Sequence, residues 1–296
     1  MSTEAVPIST RTLAASPADF VMLAKPRVTL LVIITMVGGM FLAPDQVKLW
    51  PAVFATLGTV LIVAGANALN MYLERDVDRH MQRTENRPLP AGRMTPHAAL
   101  LFGVVTSVGA GPLLLWSTNV PATVLAVAAN LSYVGLYTPL KPRTWLALIV
   151  GAVPGAIPPL LGYVAVRGGV DLAGLALFLV LFVWQIPHFH AIALFRRTEY
   201  ARAGLVVLPN ARGIAATKLH IAATTAVLLF VSLLPFLTGM VGPLYVPAAS
   251  FLGVVLFGWA LVGLRPEAGD KWARSFFGAS LPYVVLLFAA LLATKS

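Results

Sequence analysis

The sequence predicts an all-α, polytopic membrane protein with nine transmembrane helices, and three observations predict it. Of its 296 residues, 58% are hydrophobic and 11% charged, with a mean hydropathy of +0.85; a soluble domain carries roughly 25% charged residues. The apolar residues gather into nine continuous runs, each near the 20 or so residues that a helix needs to cross a ~30 Å hydrocarbon core. The basic residues are split very unevenly between the two sides that those runs define.

The runs are 24–43, 51–73, 98–116, 121–138, 145–166, 172–193, 217–238, 244–264 and 274–293. Pro44, Pro51, Pro121, Pro142 and Pro266 fall at or near the breaks, where a missing N–H costs least. The runs are continuous and do not alternate as barrel strands do, and inside lipid only the helix then satisfies every backbone group. The lead, 1–23, is polar and shows no cleavable signal, so the first run is expected to be retained. Residues 24–296 read as a single transmembrane domain. With the N-terminus inside, 18 Lys and Arg residues lie on the inner side and only Lys48, Arg167 and Lys295 on the other. That asymmetry predicts a cytoplasmic N-terminus, a C-terminus on the opposite side and an inner-membrane location. It also accounts for the net charge of +10 without nucleic acid. The chain has no cysteine, which excludes disulfides, thiolate nucleophiles and Cys-ligated metals; a metal here needs oxygen or imidazole ligands.

The densest chemistry follows the second run. Asn70, Glu74 and Asp78 stand at i, i+4 and i+8, one stripe about 12 Å long on a helix. Like charges at that spacing repel, and an acid within a membrane costs a few kcal/mol, so the stripe calls for a cation. Mg²⁺ fits, because it accepts a few protein oxygens and completes its shell with substrate phosphates. Arginines at 75, 79, 83 and 87 suit phosphate, which guanidinium grips in a bidentate manner. Asp76 faces roughly opposite the stripe. Acids beside arginines point to a metal–diphosphate site.

Two further loops on that side are polar. Tyr137 to Thr144 is a compact basic turn carrying Lys141 and Arg143. Trp184 to Gly204 places Gln185, His188 and His190 within an apolar span beside Pro187, and polar residues so placed usually face a cavity. Imidazole there could ligate iron, bond a propionate or shuttle a proton. His188 and His190 lie about 200° apart on an ideal helix, so both face one cavity only if Pro187 distorts it. Glu199 is the only acid in this segment.

At these residues the chain resembles the protoheme IX farnesyltransferases (heme O synthases) of the UbiA-type intramembrane prenyltransferase superfamily. The similarity runs from Lys25-Pro26-Arg27 to Thr217-Lys218. It rests on Asn70-x-x-x-Glu74-x-x-x-Asp78, Arg83-Thr84-x-x-Arg87-Pro88-Leu89, Tyr137-Thr138 with Lys141 and Arg143-Thr144, Trp184-Gln185-x-Pro187-His188-Phe189, and Tyr200-x-x-Ala203-Gly204. The acidic motif indicates the superfamily; the last two elements narrow it to the heme branch. Quinone-precursor prenyltransferases carry a second Asp-x-x-x-Asp pair, where this chain offers only Glu199. His190 stands where the family would have an aromatic or aliphatic residue.

The resemblance implies a UbiA-type fold, nine helices around a central cavity, with farnesyl diphosphate and heme B as substrates and heme O, for terminal oxidases, as product. Mg²⁺ would be the cofactor, held by Asn70, Glu74 and Asp78. Arg83, Arg87, Lys141 and Arg143 would bind diphosphate, and His188 would position heme or water. Tyr137, Gln185, His190, Glu199 and Tyr200 are expected at the acceptor or at a second motif, with Asn67, Asp76, Arg196 and Arg197 as outlying candidates. Membrane lipid and a heme A synthase or oxidase assembly factor are the expected partners. The rival activities are prenylation of an aromatic acceptor, secondary transport and heme-binding assembly without catalysis.

Overall fold

The structure is a computed structural model and describes residues 15–296. The helices are α1 (Pro17–Leu23), α2 (Pro26–Leu42), α3 (Leu49–Asp78), α4 (Pro96–Ser117), α5 (Val120–Ser132), α6 (Thr138–Leu140), α7 (Ala147–Arg167), α8 (Leu172–Phe195), α9 (Arg197–Arg202), α10 (Leu208–Val231), α11 (Leu234–Leu237), α12 (Tyr245–Val262) and α13 (Asp270–Ala293). A π-helical turn, Tyr133–Tyr137, joins α5 to α6. Among the described residues the only β-type pairing is one isolated bridge, Val241 to Lys295. Eight helices are long and apolar enough to span a membrane, or nine when the bent pair α1–α2 counts as one span. Their outward faces carry exposed apolar side chains, among them Leu30, Ile34, Val105, Val108, Phe251 and Val255. This is a multi-pass membrane protein.

The first span differs from the expected uniform run. Ser16 caps α1 in a reciprocal capping box with Asp19, and Pro17 occupies the first turn. Thus α1 lies inside the expected lead, of which 1–14 fall outside the described residues. The chain then bends by 52° at Lys25, whose φ is +48°. A non-glycine residue held there costs about 1–3 kcal/mol. Pro26 restarts the helix as α2, and the break frees the Ala24 carbonyl. Thr29 Oγ1 (2.6 Å) and Asn67 Nδ2 (3.2 Å) both donate to it, which ties the bend to α3.

α3 continues past the expected end at 73 to Asp78, 30 residues in all. At 1.5 Å per residue it is about 45 Å long, longer than the hydrocarbon core, so its acidic last turns reach the membrane face. α10 begins at Leu208, ahead of the expected 217, and is kinked at Gly213. α3 packs along α4, α2 on α7, and α8 against α7, α10 and α13. The α2–α7 crossing is very close: a Cβ at Gly162 would stand 1.8 Å from the Met36 carbonyl oxygen, and one at Gly39 would stand 2.0 Å from that of Pro159. Small residues permit such approach where lipid supplies no hydrophobic drive between helices.

Candidate active site

At one end of the bundle the last turns of α3, the α1–α2 bend, the π turn, the foot of α7 and the C-terminal half of α8 enclose a cavity of about 370 Å³. Lys25, Asn70, Glu74, Asp78, Arg83, Arg87, Tyr133, Tyr137, Lys141, Phe189 and Tyr200 line it, and residues 205–207 close one side. Four cations and two carboxylates thus share the wall, a balance that suits a polyanion. The helical spacing of Asn70, Glu74 and Asp78 brings all three to this wall.

Each member of the stripe already has a cationic or polar partner. Lys25 Nζ donates to Asn70 Oδ1 at 2.7 Å, and Asn70 Nδ2 donates to Thr138 Oγ1 at 3.0 Å. Lys141 Nζ lies 2.5 Å from Glu74 Oε1, an ion pair whose angles fall outside hydrogen-bond geometry. Arg87 donates to Asp78 Oδ2 at 2.6 Å. Asp78 is fully buried, yet its Oδ1 has no partner, and a buried polar atom left unpaired costs about 1–3 kcal/mol. Lys141 also sits 4.3 Å above the Tyr137 ring. Burial disfavours its charge, but Tyr137 and Glu74 outweigh burial and hold the ammonium above its ordinary pKa. Burial likewise raises the Tyr200 phenol. Tyr137 is seated by Gly151, where a Cβ would come within 2.6 Å of the ring.

These oxygens fit Mg²⁺. Two carboxylates and an amide form a hard-oxygen donor set, and Asp78 Oδ1 stands unpaired at the cavity. Among the described residues no three His, Asp or Glu side chains cluster tightly enough to cage a metal alone. An open site of this kind suits an ion that keeps phosphate oxygens in its shell.

Beside this cavity lies a second of about 120 Å³, walled by Val32, Thr59, Ile62, Ala66, Ala126 and Leu161 among others. Val28, Asn67 and Tyr133 line both. A charged chamber therefore adjoins an apolar one, the division of labour an amphiphilic phosphate ester needs.

Other expected site residues lie elsewhere. Asp76 points away from the stripe into solvent, 3.8 Å from both Arg75 and Arg79. Arg143 is exposed and does not line the cavity, because the turn after α6 presents Lys141 inward and carries Arg143 outward. Gln185 faces the α7 seam, donating to Ala152 O (3.2 Å) and Leu181 O (3.0 Å). His188 bonds through Nδ1 to Ser280 Oγ at 2.7 Å, with Trp184 and Phe277 at ring distances of 4.7 and 4.8 Å. It packs α8 on α13. His190 turns the other way, its Nδ1 donating to Ile186 O at 2.7 Å. With 100° per residue, Phe189 faces the cavity together with Ile192 and Ala193, and the histidines flank it. Glu199 pairs with Arg196 at 2.7 Å, Arg197 pairs with Asp270, and none of these three lines the cavity. Asn67 does, while bracing the Ala24 carbonyl. Lys25, Tyr133 and Phe189 reach the cavity without having been singled out as site residues. Only the Lys-Pro break and the Tyr-x-x-x-Tyr spacing hinted at the first two.

Fold and site together define an intramembrane prenyltransferase: the chain belongs to the UbiA prenyltransferase family, whose profile matches residues 31–281. It is 50% identical over 277 residues to a protoheme IX farnesyltransferase of Sorangium cellulosum (strain So ce56), covering 88% of this chain and 99% of that one. It is 48% identical, covering 94% of each chain, to a protoheme IX farnesyltransferase of Anaeromyxobacter dehalogenans (strain 2CP-C). Among solved structures it resembles a digeranylgeranylglyceryl phosphate synthase at a TM-score of 0.81 and 16% identity, covering 94% of this chain and 97% of that one. A UbiA homolog from Archaeoglobus fulgidus bound to GPP and Mg²⁺ superposes at a TM-score of 0.63 and 18% identity, covering 92% and 99%.

Proposed function

We propose that the chain transfers a farnesyl group from farnesyl diphosphate to a vinyl group of heme B, with addition of water, to give heme O. The observation that carries the reading is the charged cavity adjoining an apolar one, with Val28, Asn67 and Tyr133 in the wall of both. The kinship with protoheme IX farnesyltransferases supplies the acceptor. The apolar cavity reaches from Asn67 to Thr59 along α3. From Asn70 to Thr59 is about 16 Å of helix, the reach of a farnesyl tail.

The C–O bond between the prenyl C1 and the diphosphate breaks, and its electron pair leaves with the diphosphate. The vinyl terminal carbon bonds to C1. Water adds to the neighbouring carbon and loses a proton, which leaves the hydroxyethylfarnesyl group and free diphosphate. Arg83, Arg87, Lys141 and Lys25 meet the charge that develops on the diphosphate, and donors fixed in advance act most strongly in a water-poor site. Asn70, Glu74 and Asp78 would hold Mg²⁺ on the diphosphate, where it supplies Lewis-acid stabilisation of the leaving group. Phe189 and Tyr133 wall the cavity beside the diphosphate subsite and limit the entry of bulk water. Among the described residues Arg83 makes no ion pair, which leaves its guanidinium available to phosphate. The charged end faces the cytoplasm on the Lys/Arg asymmetry, and heme O passes to heme A synthase or a terminal oxidase.

Purified protein incubated with heme B, farnesyl diphosphate and Mg²⁺ should yield a heme O mass by mass spectrometry. A prenylated aromatic acid formed in preference to heme O would move the chain to the aromatic branch.

A further inference from the structure

His188 is committed to packing, so an imidazole that meets the acceptor's iron must come from another histidine. Of the five histidines in the chain, His190 on α8 and His220 on α10 stand with ring centroids 4.7 Å apart. Each keeps one buried nitrogen without a partner, Nε2 of His190 and Nδ1 of His220. His190 is fully buried. Its Nδ1 faces the Ile186 carbonyl, which can only accept, so the proton is on Nδ1 and Nε2 presents a lone pair. No hydrogen bond joins the two rings, so their contact is one of packing. A tautomer with the proton on Nδ1 leaves the lone pair on His220 Nε2, the nitrogen a metal would take.

Two neighbours complete the constellation. Trp145, at the foot of α7, stands 5.9 Å from His220 with the rings at 81°, and an axial imidazole likewise stands perpendicular to the porphyrin it ligates. The Arg212 guanidinium lies 6.0 Å from the Trp145 ring and is exposed, a fork suited to a carboxylate. His220 and Trp145 are half-buried, and so reachable from the side of the bundle. Phe189, next to His190, and Ala147, two residues after Trp145, line the diphosphate cavity.

We propose that the acceptor porphyrin docks on this face between α7 and α10, its iron on His220 Nε2, a propionate on Arg212 and its plane against Trp145. His190 packs against the His220 ring and holds its orientation by that contact. The proposal rests on the heme-prenylating reading and adds where the heme sits.

The test is titration of ferric heme B into the purified protein in nanodiscs, read in the Soret region. Wild type is expected to show imidazole ligation. His220→Ala is expected to lose that signature, to bind heme at least tenfold more weakly, and to regain the signature with added imidazole, while its affinity for farnesyl diphosphate is unchanged. Arg212→Gln is expected to weaken heme B but not its dimethyl ester. An unchanged spectrum and affinity in His220→Ala overturns the proposal, and heme O production by wild type then shows that the parent reading survives. Failure of wild type to prenylate heme B overturns both.

Discussion

The end of α3 and the end of α8 read alike in the sequence: polar residues crowded into a membrane span, an arginine run after each, and a resemblance to one family across both. In the structure they part. α3 delivers its whole i, i+4, i+8 stripe to the cavity wall, whereas α8 presents Phe189, Ile192 and Ala193 and sends His188 to α13 and His190 toward α10. Periodicity decides between them. Three polar residues on one helical stripe must face the same way, but two polar residues two apart cannot, and Phe189 between them takes the functional face.

The largest test of this difference is Asp78→Ala, expected to lower heme O formation by roughly 10²–10³-fold, the scale of removing one electrostatic stabiliser. Size-exclusion profile and melting temperature in detergent should show the variant folded. Lys141→Met comes next, with a fall in kcat of about 10²-fold while heme affinity holds; an equal fall in heme affinity would place Lys141 with the acceptor instead. Ala66→Leu, which narrows the apolar chamber, is expected to raise KM for farnesyl diphosphate several-fold and to favour geranyl diphosphate in a competition assay. His188→Phe is expected to leave kcat/KM within about twofold yet lower the melting temperature, because it removes the His188–Ser280 hydrogen bond, a loss of about 0.5–1.5 kcal/mol, while Ser280 keeps its bond to the Phe277 carbonyl. If His188→Phe instead abolished turnover of a stable protein, α8 would join α3 as a chemical wall. Asp76→Asn is the smallest, within error of wild type in both rate and stability.

The helical spans were readable because lipid leaves a long apolar run few alternatives, and the acid stripe because its spacing carries its own phase. α8 carried no such phase. It is apolar nearly all round, so nothing in Trp184 to His190 said which side meets the cavity. Lys25 was hidden for a different reason: a Lys-Pro pair announces a break, but not that the lysine takes a left-handed φ and folds back on Asn70. Arg143 was misplaced because a turn residue's direction depends on the neighbours that tether it. Here the Val206 N–H bonds the Lys141 carbonyl at 3.0 Å and fixes which side of the turn looks inward.

The ion pairs of Glu74 with Lys141 and Asp78 with Arg87 carry one more consequence. A site of bare acids would repel itself and lean on its metal to hold together, as many metalloproteins do. Here the protein lends its own cations to the acids, so the fold does not wait on a metal. Chelation is expected to silence the enzyme and leave it folded, its melting temperature lower only by the stabilisation that a native-state ligand adds, and any incoming metal must compete with side chains already in residence.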